Sequence, residues 1–149
     1  MLRIFAVTVV LLAAGIVEVL AQSATDDATS ISHLLHGMFD KPNEKLSVEP
    51  VLVSGEHAIT DWTQGEMGGR ALLRPQHRNW NIVLCAGDGI KSSEALVKVG
   101  VPAADARKLE SEMIAAEAKL APERVAMFSR FEGLVMMDGD GSAAQHARH

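Results

Sequence analysis

The sequence predicts an α+β domain: an N-terminal helix, a four-stranded antiparallel meander, then two or three C-terminal helices. Three observations carry this. Apolar residues recur at helical spacing before Asp40. Four β-prone runs separated by short turns fill residues 47–86. Helical periodicity then returns after Gly89. Helices packed over one or both faces of an antiparallel sheet are the layer arrangement such an order allows.

Ile31, Leu34, Leu35, Met38 and Phe39 form the apolar stripe of the first helix, expected over residues 30–40. Thr29 or Ser30 would cap it, and Pro42 would stop it. Residues 47–54 are β-branched, and Pro50 marks this run as an edge or irregular strand. Gly55-Glu56 turns the chain into residues 57–64. The glycine-rich stretch 65–69 reverses it again into residues 70–74, with Trp62 and Leu72 placed to pair across the reversal. Residues 75–78 lead into 79–86. There, period-two alternation puts Trp80, Ile82, Leu84 and Ala86 on one face and Asn79, Asn81, Val83 and Cys85 on the other. Residues 92–99 read as a short helix closed by Gly100. Pro102 suits the first position of the next, whose stripe is Leu109, Met113, Ala116 and Leu120. Pro122 opens a last helical stretch, with Val125, Phe128 and, further on, Phe131 as inward-facing residues.

The N-terminus has the layout of a secretory signal peptide. A basic Met1-Leu2-Arg3 precedes a largely apolar run through Leu20, and Val19 and Ala21 supply small residues before Gln22. The expected organisation is a signal peptide at 1–21, one α+β domain at 22–136 and a flexible polar tail at 137–149, working in the periplasm after cleavage. What remains of the 149 residues suits a single core. A net charge of −5 with scattered Lys and Arg speaks against nucleic acid as a partner. The single cysteine, Cys85, excludes an internal disulfide.

On the first helix, His33, His36 and Asp40 lie within about 60° of one another, opposite the apolar stripe. Two imidazoles and a carboxylate on one face can hold copper, zinc, nickel or iron, and the alternative is a solvated helix face. His36-Gly37-Met38 spells a His/Met pair, but on a helix these side chains diverge and Met38 belongs to the core. Cys85 reads as a buried small hydrophobe, or as a soft ligand near Met67 if its sheet face is open. Met136, Met137, Asp138, Asp140, His146 and His149 gather donors at the C-terminus, without the closing Glu of a calcium loop. No nucleophile elbow, zinc-protease helix or phosphate loop is present, so the chain is expected not to be an enzyme. The hairpin from Trp62 to Leu73 is either a binding loop or a turn with demanding geometry.

The residues Phe39-Asp40-Lys41-Pro42, Trp62-Thr63-Gln64-Gly65, Met67-Gly68-Gly69-Arg70-Ala71-Leu72-Leu73 and Leu84-Cys85-Ala86-Gly87-Asp88 are distinctive as a set. Gly100-Val101-Pro102-Ala103-Ala104-Asp105-Ala106, Phe128 and Phe131-Glu132-Gly133 complete it. Together they resemble the small exported proteobacterial proteins known as copper uptake system-associated. The resemblance implies an accessory of copper acquisition, with the copper ion and periplasmic or membrane copper-uptake proteins as partners; it carries no ligand set. The alternative is a metal-free scaffold that contacts a transporter or partner through the Trp62–Leu73 hairpin. In shape, helix then meander is similar to cystatin-like and NTF2-like folds.

Overall fold

The computed structural model describes residues 14–137. Residues 1–13 of the expected leader, and Asp138, Asp140, His146 and His149 of the expected tail, lie outside the described residues.

Helix α1 spans Ala14–Phe39, starting well before the expected cap. The reason is visible at Thr29 and Ser30. Their hydroxyls donate to the carbonyls of Thr25 and Asp26 one turn back, both at 2.9 Å. A hydroxyl bonded to the preceding turn is not capping a following one, so the helix runs through. At the other end Asp40 takes over: its Oδ1 accepts the Leu46 amide at 2.9 Å and closes the loop into the sheet.

The sheet is β1 (Leu46–Ser54), β2 (His57–Gln64), β3 (Met67–Gln76), β4 (Asn79–Ala86) and β5 (Leu134–Met136), paired antiparallel in that order. The first four are the expected meander. The fifth was not expected: it is short, follows the helices, and is continued by the Met137 amide donating to the Val83 carbonyl at 2.9 Å. Each hairpin has a two-residue turn. Gly55 and Gly65 open the first two at φ 57° and 58°. Gly68 and Gly69, expected within the second reversal, lie instead inside β3, so Trp62 faces Gly69 rather than Leu72. The third turn, His77-Arg78, has both residues at positive φ (50° and 71°), as the hairpin geometry requires but without glycine to supply it.

Two bulges re-aim the side chains. Val48 pairs with Trp62 and Val51 with Thr60, leaving Glu49 and Pro50 opposite Asp61. Pro50 therefore sits in an irregular edge strand, as its missing N–H demands. In β4, Leu84 pairs with Leu72 but Ile82 with Leu73, so Val83 is the extra residue. This corrects the single-phase alternation. Trp80, Ile82 and Cys85 face α1, whereas Leu84 and Ala86 face the opposite layer.

That opposite layer holds a 3-10 turn (Asp88–Ile90), α2 (Ser93–Lys98) and α3 (Ala103–Glu117), followed by α4 (Pro122–Met127). Ser92 caps α2 through Ala95 N, and Gly100 ends it at φ 99°. The amide of Gly100 bonds Val97 O and that of Val101 bonds Leu96 O, both at 3.0 Å, a paired C-terminal cap. Pro102 caps α3 rather than entering it. The buried stripe of α3 is Ala106, Leu109, Met113 and Glu117, not one ending in Ala116 and Leu120. The sheet thus separates two cores. Ile31, Leu35, Leu46, Ala58, Ala71, Leu73 and Ile82 pack under α1; Ile59, Leu72, Leu84, Ile90, Leu96, Leu109 and Met113 pack under α2 and α3.

Candidate functional site

α1 rests on β1 and on part of β4, and between them β2 and β3 place the small Ala58 and Ala71 on that face beside Trp62 and Leu73. The result is an apolar cavity of about 410 Å³ between helix and sheet, within the range of small-molecule sites. Its walls come from α1 (Leu35, Phe39), the sheet (Leu46, Trp62, Ala71, Ile82, Cys85) and the C-terminal segment (Phe131, Val135, Met137). Trp62 meets Phe131 edge to face, with ring centroids 5.9 Å apart and planes at 80°. Among the described residues, Gln64 is the one amide side chain in the lining, and no charged residue takes part. Cys85 and the indole of Trp62 are the other residues of the lining with polar atoms. Burial among apolar neighbours pushes the Cys85 thiol up to about 11, so it stays protonated at neutral pH.

The residues that distinguish the glycine-rich hairpin explain how this wall is built. A Cβ on Gly69 would lie 2.8 Å from Phe131 Cβ and 2.9 Å from the Trp62 ring. On Gly68 it would lie 2.7 Å from Met127 O, and on Gly87 2.5 Å from Phe131 O. These three glycines are seats for residues 127–131, which cross over the ends of β3 and β4. Only the turn tip, with Met67 49% exposed, projects from the hairpin.

On the other face the same stretch sends Arg70 into a fully buried position. Its Nη2 and Nε reach Glu117 Oε1 at 2.6 and 3.2 Å, and its Nη1 reaches Asp88 Oδ1 at 3.0 Å. The guanidinium also lies 5.7 Å from the Phe128 ring centre. Asp61, paired across the strands with Arg70, approaches Nε at 3.4 Å, and its Oδ2 is buried without a partner. Burial pushes the Asp61 carboxyl up to about 7. Arg70 opposes that rise, but Glu117 and Asp88 already claim its charge. Ser129 Oγ donates to Asp88 Oδ1 at 2.8 Å, tying the C-terminal segment to the cluster.

The sequence-derived metal face lies apart from both. His33 is exposed, and His36 Nδ1 stands 3.8 Å from Asp40 Oδ2. Asp40 also engages Leu46 N and Lys45, and these contacts hold its carboxyl below the usual range. Among the described residues, no three His, Cys, Asp or Glu side chains gather where they could hold a metal ion. Cys85 and Met67 are not neighbours in the cavity wall; Met137 is there instead. The cavity is not legible in the sequence because its lining comes from segments scattered between Leu35 and Met137. The usable signal was Gly-Gly followed by Arg, a charge inside an apolar run, together with the inward-facing Phe131. Searches against protein-family models, curated proteins and solved structures find no match to this chain.

Proposed function

We propose that this protein is an exported, non-catalytic binding module whose working site is the apolar cavity between α1 and the sheet. One observation supports this above the rest: an apolar space of about 410 Å³ walled by Trp62, Phe131, Leu35 and Val135. A packed interior has few voids larger than a water molecule, so space of this size at a helix–sheet junction favours a ligand. Binding of the fluorescent probe N-phenyl-1-naphthylamine, followed by quenching of tryptophan emission, tests the reading. Ala71→Leu and Val135→Trp, on two strands of the sheet wall, are each expected to weaken binding at least about tenfold, the effect of filling the site. Unchanged binding in two folded variants would sink the proposal.

A second reading, an accessory role in copper acquisition, is favoured by the donors on hand as well as by the resemblance. Cys85 and Met137 bring two sulfur atoms to the same cavity, a soft pair suited to Cu(I). His33, His36 and Asp40 offer a harder, open face suited to Cu(II). In this reading copper is cargo, passed to periplasmic or membrane uptake proteins. Equilibrium dialysis with each oxidation state separates the sites. Cys85→Ser/Met137→Leu is expected to lose Cu(I), and His33→Ala/His36→Ala to lose Cu(II). Equal retention by both double variants would remove both sites.

A further inference from the structure

The cavity's polar inventory is short enough to specify its ligand. Gln64 Nε2 donates to Phe39 O at 2.7 Å and to Glu44 O at 2.9 Å. Both partners are carbonyls, so the amide must present its nitrogen to them and both N–H groups are spent. Oε1 is left without a partner among the described residues, on a side chain that lines the cavity. A carbonyl oxygen in that place accepts a hydrogen bond and repels an anion.

Among the described residues, nothing in the lining offers a positive charge. Lys41 and Lys45, in the loop after α1, lie 3.5 Å from Glu44 and 3.4 Å from Asp40 respectively, each held by a carboxylate. A fatty-acid carboxylate would enter without a counter-ion, and an ammonium would find one neutral acceptor and no carboxylate in the wall. Both are poor occupants of an apolar site, because a buried charge needs a partner. A hydroxyl, which both donates and accepts, suits a wall whose polar groups are all neutral: the Gln64 acceptor, the Trp62 indole N–H and the weakly donating Cys85 thiol.

We propose that the cavity selects neutral apolar molecules carrying one hydrogen-bond donor, such as aliphatic alcohols, and that Gln64 Oε1 reads that donor; this rests on the cavity being a binding site. Cys85, neutral at working pH, keeps the wall uncharged.

The test is displacement of N-phenyl-1-naphthylamine from the full chain by 1-octanol, octanoate and octylammonium at neutral pH. Octanol is expected to displace the probe at concentrations about tenfold lower than either ion, the scale of one unmatched buried polar group. Octanoate should gain as the pH falls below the acid's own pKa, since octanoic acid is neutral and carries a donor. Gln64→Leu should narrow the gap between octanol and the ions; the wild-type series stands by itself should that variant fail to fold. Octanoate displacing as well as octanol at neutral pH would overturn the proposal. Probe bound and lost in Ala71→Leu, yet displaced by none of the three, would overturn the specificity and leave the cavity reading standing. Absence of probe binding altogether would end both.

Discussion

Arg70 shows how much a single side chain decides. It is wholly buried, and three carboxylates converge on it: Glu117, Asp88 and Asp61. Removing the cation strands buried anions, so Arg70→Met is expected to cost about 3–5 kcal/mol, read as a lower denaturation midpoint. Arg70→Met/Glu117→Leu should recover part of that loss, because the second change removes one stranded charge. Asp61 sets a pH dependence. Its carboxyl titrates at about 7 in the fold against an ordinary 3.8, so between these values the native state binds the proton more tightly than the unfolded chain. The stability it contributes is whole below about pH 4 and fades as the pH rises to about 7, on the order of a few kcal/mol. Asp88 works the other way. Partly desolvated but hydrogen-bonded by Ser129 and facing Arg70, it sits below its usual range, and its contribution is lost as the pH falls through that range. Denaturation midpoints measured across pH 4 to 8 should fall toward neutrality in the wild type, and Asp61→Asn should flatten that slope. A wild-type slope of the opposite sign would refute the assignment.

Among the elements, the bulges and hairpin turns carry information that periodicity cannot. The extra residue Val83 moves Cys85 to the cavity side, and the bulge at Glu49 and Pro50 lies directly across from Asp61. The His77-Arg78 turn holds two non-glycine residues at positive φ, a conformation that costs about 1–2 kcal/mol for an L-residue. Arg78→Gly is therefore expected to stabilise the fold by about 0.5–1 kcal/mol, measurable by urea denaturation. Gly87→Ala should do the reverse, by about 1–3 kcal/mol or more, because its Cβ would meet the backbone oxygen of Phe131, which no side-chain rotation can relieve. If Gly87→Ala left stability unchanged, residues 127–131 would not be seated as described. Trp62, Gly68, Gly69, Arg70, Gly87, Asp88, Phe128 and Phe131 form one structural knot between the two cores.

For the whole molecule, the sheet is a partition with different contents on its two sides. The α2/α3 side is a filled core anchored by Arg70. The α1 side keeps a space, and the sole cysteine looks into it. Cys85 is thus a reporter of that space. Its alkylation at pH 7.5 should be slow, because its raised pKa leaves little thiolate, and slower again when octanol or the naphthylamine probe fills the cavity. Rapid alkylation unaffected by ligand would place the thiol outside it.

The first helix, the meander and the helices after Gly89 were legible from hydrophobic spacing and glycine or proline punctuation, because those signals are local. Legible too were Met38, Leu109 and Met113 as core residues. The strand Leu134–Met136 was not, since three residues show no period and gain their hydrogen bonds only from β4. Glu117 in a buried stripe was equally unreadable: a carboxylate goes inside only when a cation meets it there, and that cation is 47 residues away on another element. The cavity belongs to the same class, an outcome of where α1 lies and how small Ala71 is. Local pattern determined the first helix, the four-stranded meander and the helices after Gly89 as segments. Long-range pairing of charges, glycine seats and strand phase decided what those segments enclose, because each depends on a partner that the neighbouring sequence does not name.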